Sequence, residues 1–243
     1  AFWPGFSTTN CQQKEFFDTL SKELDANIFL SRLSGHGREY PGSKQMSAEN
    51  YLKDTSEAIE IAKRIGHKVI LIGFSLGGAL TTAASFDDEL SKDLHGVVLF
   101  APAYVGTIRN NSMWFYAMSF LDEINLDCND YINDQKKYDC TKYSTNVFET
   151  SDGVEGGRIM SAVAKKDFSE NKIPALSFFD YDDDVLNSYE TEKRLDRWGN
   201  KKSKIVIVDS GEKDVTQHFI VGFLNPELDD FYIKEINNWI NNL

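Results

Sequence analysis

The chain of 243 residues carries 38 Asp and Glu against 26 Lys and Arg, a net charge of -12, with 41% hydrophobic and 13% aromatic residues. That content suits one domain with a substantial core rather than a disordered chain, and the acidic surface repels nucleic-acid backbones and anionic lipid heads. No apolar run approaches the roughly 18 residues of a membrane span, so the sequence predicts a soluble chain without stable membrane insertion.

In chain order, Ala1 to Phe6 is a short apolar piece that runs into a polar turn ending at Asn10. A helix is predicted from Gln12 to Leu24, with Phe16, Phe17, Leu20 and Leu24 on one face. Asn27 to Leu30 reads as a short strand, and Ser34 to Gly42 as a loop of turn residues. Ser47 is placed to cap a long helix carrying Tyr51, Ala58, Ile59 and Ala62, which stops at Gly66. Val69 to Ile72 is apolar and largely β-branched, the pattern of a strand buried on both faces. Val97 to Phe100 repeats that pattern and is ended by Pro102.

From there to Lys172 the alternation of strands and helices breaks, in a stretch first aromatic and then rich in Asp, Asn, Lys and Tyr. It returns with a strand at Pro174 to Phe179, an acidic turn, a helix to Trp198 and a strand at Ile205 to Val208. A last amphipathic helix follows Asn225-Pro226. Strands alternating with helices imply a mostly parallel sheet covered on both faces.

Gly73-Phe74-Ser75-Leu76-Gly77 follows the first buried strand, and Gly77, Gly78, Ala79, Ala83 and Ala84 open the next helix. A serine on so tight a turn adopts a strained backbone conformation, which demands very small residues two positions either side. The helix N-terminus then aims free N–H groups at the place where an oxyanion would form. The plainer alternative is a Gly-rich turn whose serine merely caps the helix.

A serine hydroxyl needs a histidine base oriented by a carboxylate, and the chain has four histidines. His67 and His95 stand at the starts of core strands, the sheet edge opposite the one where ligands bind, and are expected to be structural. His36 lies between two glycines in a loop at the ligand edge. His218 lies in the loop between the last core strand and the C-terminal helix, and is the best base. Asp180, Asp182, Asp183 and Asp184 cluster directly after the strand ending at Phe179. Asp209, Glu212 and Asp214 lie in the loop of His218 itself and rank lower.

The pentapeptide resembles the nucleophile elbow of the α/β-hydrolase superfamily, in particular that of small bacterial carboxylesterases and monoacylglycerol-lipase-like enzymes. The resemblance extends through most of the chain in element order and is weakest across residues 102–172. It implies an α/β-hydrolase fold, with core segments 1–101 and 173–243 and a cap or lid insertion at 102–172. It also implies that the chain begins inside the third strand of that fold, the domain being minimal or lacking upstream strands.

The family's Gly-x-x-Asp-x-Val pattern after a strand makes Asp183 the acid, with Val185 two positions on, although Asp180 stands where glycine is usual; Asp182 and Asp184 are the alternatives. The resemblance further implies an oxyanion hole from the N–H groups of Leu76 and, through Pro4-Gly5-Phe6, of Phe6. His36 matches a Gly-His-Gly turn that shapes the site without acting as base, and is grouped with the substrate-binding residues. Trp114, Phe115 and Met118 fall where a lid would wall an acyl pocket; the core of a small helical insertion is the other reading. The implied activity is hydrolysis of short to medium acyl esters through Ser75, His218 and Asp183, with an acyl-enzyme intermediate and without metal or organic cofactor. A thioesterase or acyltransferase with the same residues, and a silent binding protein retaining the fold, are the rival readings.

The three cysteines match no zinc or CxxC pattern. Cys128 and Cys140 flank a polar loop that a disulfide would close, contributing about 3 kcal/mol on the loop-entropy estimate; free thiols in a reducing compartment fit equally. Cytoplasmic and exported locations therefore both stand, and the sequence sets no oligomeric state.

Overall fold

The computed structural model describes residues 1–38, 41–107, 124–125, 144–145, 147–211 and 216–243. The sheet is built from the apolar runs that the sequence marks. Strands β1 (Phe2–Trp3), β2 (Val69–Phe74) and β3 (Leu94–Phe100) are followed, beyond a separate two-stranded pair of β4 (Ile124–Asn125) and β5 (Val147–Phe148), by β6 (Ala175–Phe179) and β7 (Lys204–Ile207). Five of them form one sheet in the order β1-β2-β3-β6-β7, and every pairing in it is parallel.

Side chains alternate across this sheet. Leu71, Val97, Leu99, Ala175 and Phe179 point into one core, shared with helices α2 (Ala48–Ile65), α3 (Leu76–Ser85), α4 (Thr150–Ala164) and α5 (Ser188–Leu195). Ile72, Phe74, Val98, Phe100, Leu176 and Phe178 point into the other, closed by α1 (Lys14–Leu24) and α6 (Asp229–Asn241). Phe100 stacks on its register partner Phe178 with ring centroids 5.0 Å apart, and Tyr232 of α6 meets both rings edge-on. Apolar layers on both faces explain why these strands read as continuous hydrophobic runs.

Helix boundaries follow their caps. The Ser47 side chain accepts a hydrogen bond from the Asn50 N–H at 3.1 Å, and α2 ends at Gly66 as its sequence requires. The strand expected at Asn27 to Leu30 shrinks to a single parallel bridge between Leu30 and Phe2. Its partner β1 is two residues long and is stopped by Pro4, which has no N–H to extend a ladder. The segment 102–172 contains one long described helix, α4, which packs against α3. No described helix is long and apolar enough to cross a membrane.

In a parallel sheet the loops after the strands gather at one edge. Here those are the turn at Ser75 after β2, the acidic turn after β6 and the loop that follows β7.

Candidate active site

Ser75 sits between β2 and α3 with φ 53° and ψ -116°, in the left-handed region that serine rarely occupies. The turn is enforced by backbone crowding. A Cβ on Gly73 would come within 2.2 Å of the Gly77 carbonyl oxygen, and one on Gly77 within 2.1 Å of the Trp3 carbonyl oxygen. Only glycine fits at either place, which is why the spacing Gly-x-Ser-x-Gly carries structural information. The strain costs on the order of 1–3 kcal/mol and lifts the side chain clear of the strand.

The structure brings Ser75, His218 and Asp183 into one hydrogen-bonded chain. His218 Nε2 lies 2.8 Å from Ser75 Oγ, and its Nδ1 lies 2.7 Å from Asp183 Oδ2. The other oxygen of that carboxylate accepts the backbone N–H groups of Val185 and Leu186, both at 2.8 Å. The carboxylate is thereby locked while still facing the ring. Ser75, Asp183 and His218 are all buried. The imidazole rests against Phe74, with centroids 5.1 Å apart, and meets Phe219 at 6.0 Å. With Nδ1–H donating to Asp183, Nε2 is left as the acceptor for the serine hydroxyl. A hydroxyl, a base and an orienting carboxylate in this order can activate an oxygen nucleophile.

The neighbouring aspartates divide other tasks. Asp182 is exposed, and its backbone N–H donates to Asp180 Oδ1. Asp184 is exposed and accepts from the Thr216 hydroxyl, while Asp180 is buried and accepts from Ser210. Asp209 turns its carboxylate back onto the N–H of Gly211. Glu212 and Asp214 lie outside the described residues.

Leu76 opens α3, so its N–H lies beyond the reach of the helix's own carbonyls. Gly5 packs directly on the elbow: a Cβ there would lie 3.1 Å from Ser75 Cβ and from the Phe74 ring. Phe6 therefore follows at the same spot. Among the described residues no hydrogen bond occupies the N–H of Phe6 or of Leu76. Both side chains meet α4 at one point, since a Cβ on Gly156 would lie 3.3 Å from the Phe6 ring and 3.8 Å from the Leu76 side chain.

His36 is fully buried, its ring edge-on to Phe6 and Tyr51. Its Nδ1 lies 3.2 Å from the Ser34 carbonyl, and its Nε2 accepts the Ser7 N–H at 3.0 Å. Burial pushes its pKa down to about 4, so the ring is neutral at pH 7. With both nitrogens engaged inside the protein, His36 holds the loop next to Phe6. Ser7 itself has φ 59°, and its carbonyl accepts the Thr145 N–H. His67 is exposed just before β2 and His95 lies at the start of β3, both at the opposite end of the strands from the turn at Ser75.

Trp114, Phe115 and Met118, like the Cys128–Cys140 pair, lie outside the described residues. Cys11 is a free, half-buried thiol.

The matching family model, described as the alpha/beta hydrolase family, covers residues 1–220. The chain belongs to that family. Its fold is the α/β-hydrolase fold, a mostly parallel sheet flanked by helices. Among solved structures it is similar to a monoacylglycerol lipase from Paleococcus ferrophilus, with TM-score 0.73 and 17% identity over 98% of this chain and 92% of that one. It is also similar to a soluble variant of the monoglyceride lipase of Saccharomyces cerevisiae, with TM-score 0.72 and 12% identity over 99% and 85% of the two chains. MenH from S. aureus gives a TM-score of 0.64 at 13% identity, over 99% and 92%. No curated protein sequence matches the chain.

Proposed function

We propose that this protein is a serine hydrolase that cleaves carboxylic esters through an acyl-enzyme intermediate. The observation that carries the reading is the continuous chain from Ser75 Oγ through His218 to Asp183, mounted on a strained elbow. Family membership supports hydrolase chemistry, and the lipases of similar fold favour an ester as substrate.

In this reading Ser75 Oγ attacks the ester carbonyl while His218 Nε2 takes its proton. Asp183 stabilises the imidazolium that forms and keeps it in the useful orientation. The N–H groups of Leu76 and Phe6 receive the developing oxyanion, each worth on the order of 10²–10³ in rate. Collapse of the tetrahedral intermediate expels the alcohol, which takes the proton back from His218. Water then enters, gives a proton to the same imidazole and attacks the acyl carbon. The second tetrahedral intermediate breaks its bond to Ser75 Oγ, which takes the proton back from His218, and the acid leaves.

Residues 102–172 act as the cap over the acyl site, a role supported by Gly156 of α4 lying against Phe6 and Leu76. Trp114, Phe115 and Met118 are its candidate acyl-pocket residues. A panel of p-nitrophenyl esters of increasing chain length, run beside Ser75→Ala, tests the assignment. A short-to-medium optimum that vanishes in the variant supports it. Ester turnover that survives the substitution would move the chemistry to another residue.

A further inference from the structure

The loop that delivers His218 leaves β7 at Val208 and is exposed or half-buried along much of its described length, so its register on the sheet edge needs an anchor. One anchor stands where the family pattern expects a residue without a side chain. Asp180 is only 5% exposed, and Asp180 Oδ2 accepts both the Ser210 N–H at 2.7 Å and the Ser210 hydroxyl at 2.6 Å. Asp180 Oδ1 accepts the Asp182 N–H at 2.9 Å, which curls the turn so that Asp183 comes next. Ser210 Oγ also lies 2.8 Å from the amide end of Gln217, the residue directly before His218. With the one hydroxyl proton given to Asp180, the Gln217 NH₂ turned towards Ser210 is the donor in this contact. The Asp180 carbonyl accepts the Ser188 hydroxyl, tying the same residue to the start of α5. Further along, Asp184 accepts from Thr216, whose hydroxyl oxygen in turn accepts the His218 N–H at 3.3 Å.

The acidic turn thus grips the histidine loop on both sides of the contact between Asp183 and His218. From this geometry we infer that Asp180 is a positioning residue: through Ser210 and Gln217 it sets where the His218 imidazole meets Ser75. The inference rests on the proposed roles of Ser75, His218 and Asp183. A side-chain hydrogen bond to an ionised carboxylate is among the stronger kinds, and misplacing a catalytic group by about 1 Å can cost on the order of 10²-fold in rate. Asparagine cannot substitute. Both carboxylate oxygens accept backbone N–H groups, so whichever way an amide is turned, its NH₂ meets a donor.

Asp180→Asn and Ser210→Ala are compared with the wild-type chain on a p-nitrophenyl ester, with circular dichroism to verify folding and fluorophosphonate labelling of Ser75 followed by mass spectrometry. Asp180→Asn is expected to lower kcat about ten- to a hundredfold, with KM within about twofold and labelling slowed in parallel. Ser210→Ala keeps the backbone N–H on Asp180 and removes only the hydroxyl relay, so a smaller fall of about three- to tenfold is expected. It also decides the matter should Asp180→Asn not fold. Wild-type kcat in folded Ser210→Ala or in folded Asp180→Asn overturns the inference while leaving the proposed function intact. Wild-type protein that folds but neither labels at Ser75 nor turns over the ester overturns both.

Discussion

Gly77 lies so close to Trp3 that a Cβ on it would stand 2.1 Å from the Trp3 carbonyl oxygen. The contact joins the first turn of α3 to the end of β1, and it fixes the elbow against the strand that leads to Phe6. Backbone atoms are on the receiving side, so no rotamer change can relieve an added methyl group. Gly77→Ala is expected to cost about 3 kcal/mol, as overpacking of a rigid site does, and to lower Tm by roughly 6–12 °C for a chain of this size. Differential scanning calorimetry checks this; an unchanged Tm would mean that β1 and α3 are not held this closely.

The strain at Ser75 makes a second prediction, about stability alone. Ser75→Ala and Ser75→Gly both delete the hydroxyl and its hydrogen bond to His218. Only glycine also relieves the φ of 53°. Relief of about 1–3 kcal/mol outweighs the 0.5–1 kcal/mol or so of extra chain entropy that glycine loses on folding. The glycine variant is therefore expected to be the more stable of the two by about 1 kcal/mol in urea unfolding. Equal stability would remove the case for a strained elbow.

Among the clustered aspartates, the hydrogen bonds single out Asp183. Asp183→Asn is expected to lower kcat by on the order of 10³–10⁴, because an amide no longer favours the Nδ1–H tautomer or the imidazolium. Asp182→Asn changes an exposed side chain and is expected to lose no more than about threefold. Steady-state kinetics on the two variants checks the assignment, and a reversal of their order would transfer the acid role to Asp182.

His36 gives a prediction in pH. Its pKa of about 4 in the fold lies below the ordinary 6.5 or so of an unfolded histidine. Protonation therefore favours unfolding, and stability declines as pH drops from about 6.5 towards 4. Across pH 7 to 4.5 the loss is about 2–3 kcal/mol. Asp152 and Asp229, raised by burial to about 6, push the opposite way over the same range. The difference between wild type and His36→Gln cancels their contribution. Urea unfolding should show the wild-type advantage shrinking by about 2–3 kcal/mol from pH 7 to 4.5; a constant difference would contradict a buried neutral ring.

Much of this was legible because it rests on local patterns. β2, β3 and β6 are buried on both faces and so announce themselves as apolar runs, and Gly73, Gly77 and Gly78 mark a crowded turn. The hydrogen-bonded partners of Ser75 emerged from chain order and from the sheet edge on which each histidine falls. What stayed hidden depends on distant pairing. Leu30 contributes a bridge instead of a strand because its partner ends at Pro4. Three glycines in α4, Gly153, Gly156 and Gly157, lower helix propensity enough to disguise a helix chosen for close packing. The one sign of the Asp180 clamp was a carboxylate where glycine is usual, and its partner Ser210 lies 30 residues away.

Ser75 is the proposed nucleophile. Folded wild-type protein treated with a fluorophosphonate, digested and read by tandem mass spectrometry, should carry one phosphonyl group on the Ser75 peptide. Ser75→Ala should carry none and should turn over no ester. An unmodified Ser75 in folded wild-type protein, or ester hydrolysis persisting in Ser75→Ala, would contradict the account.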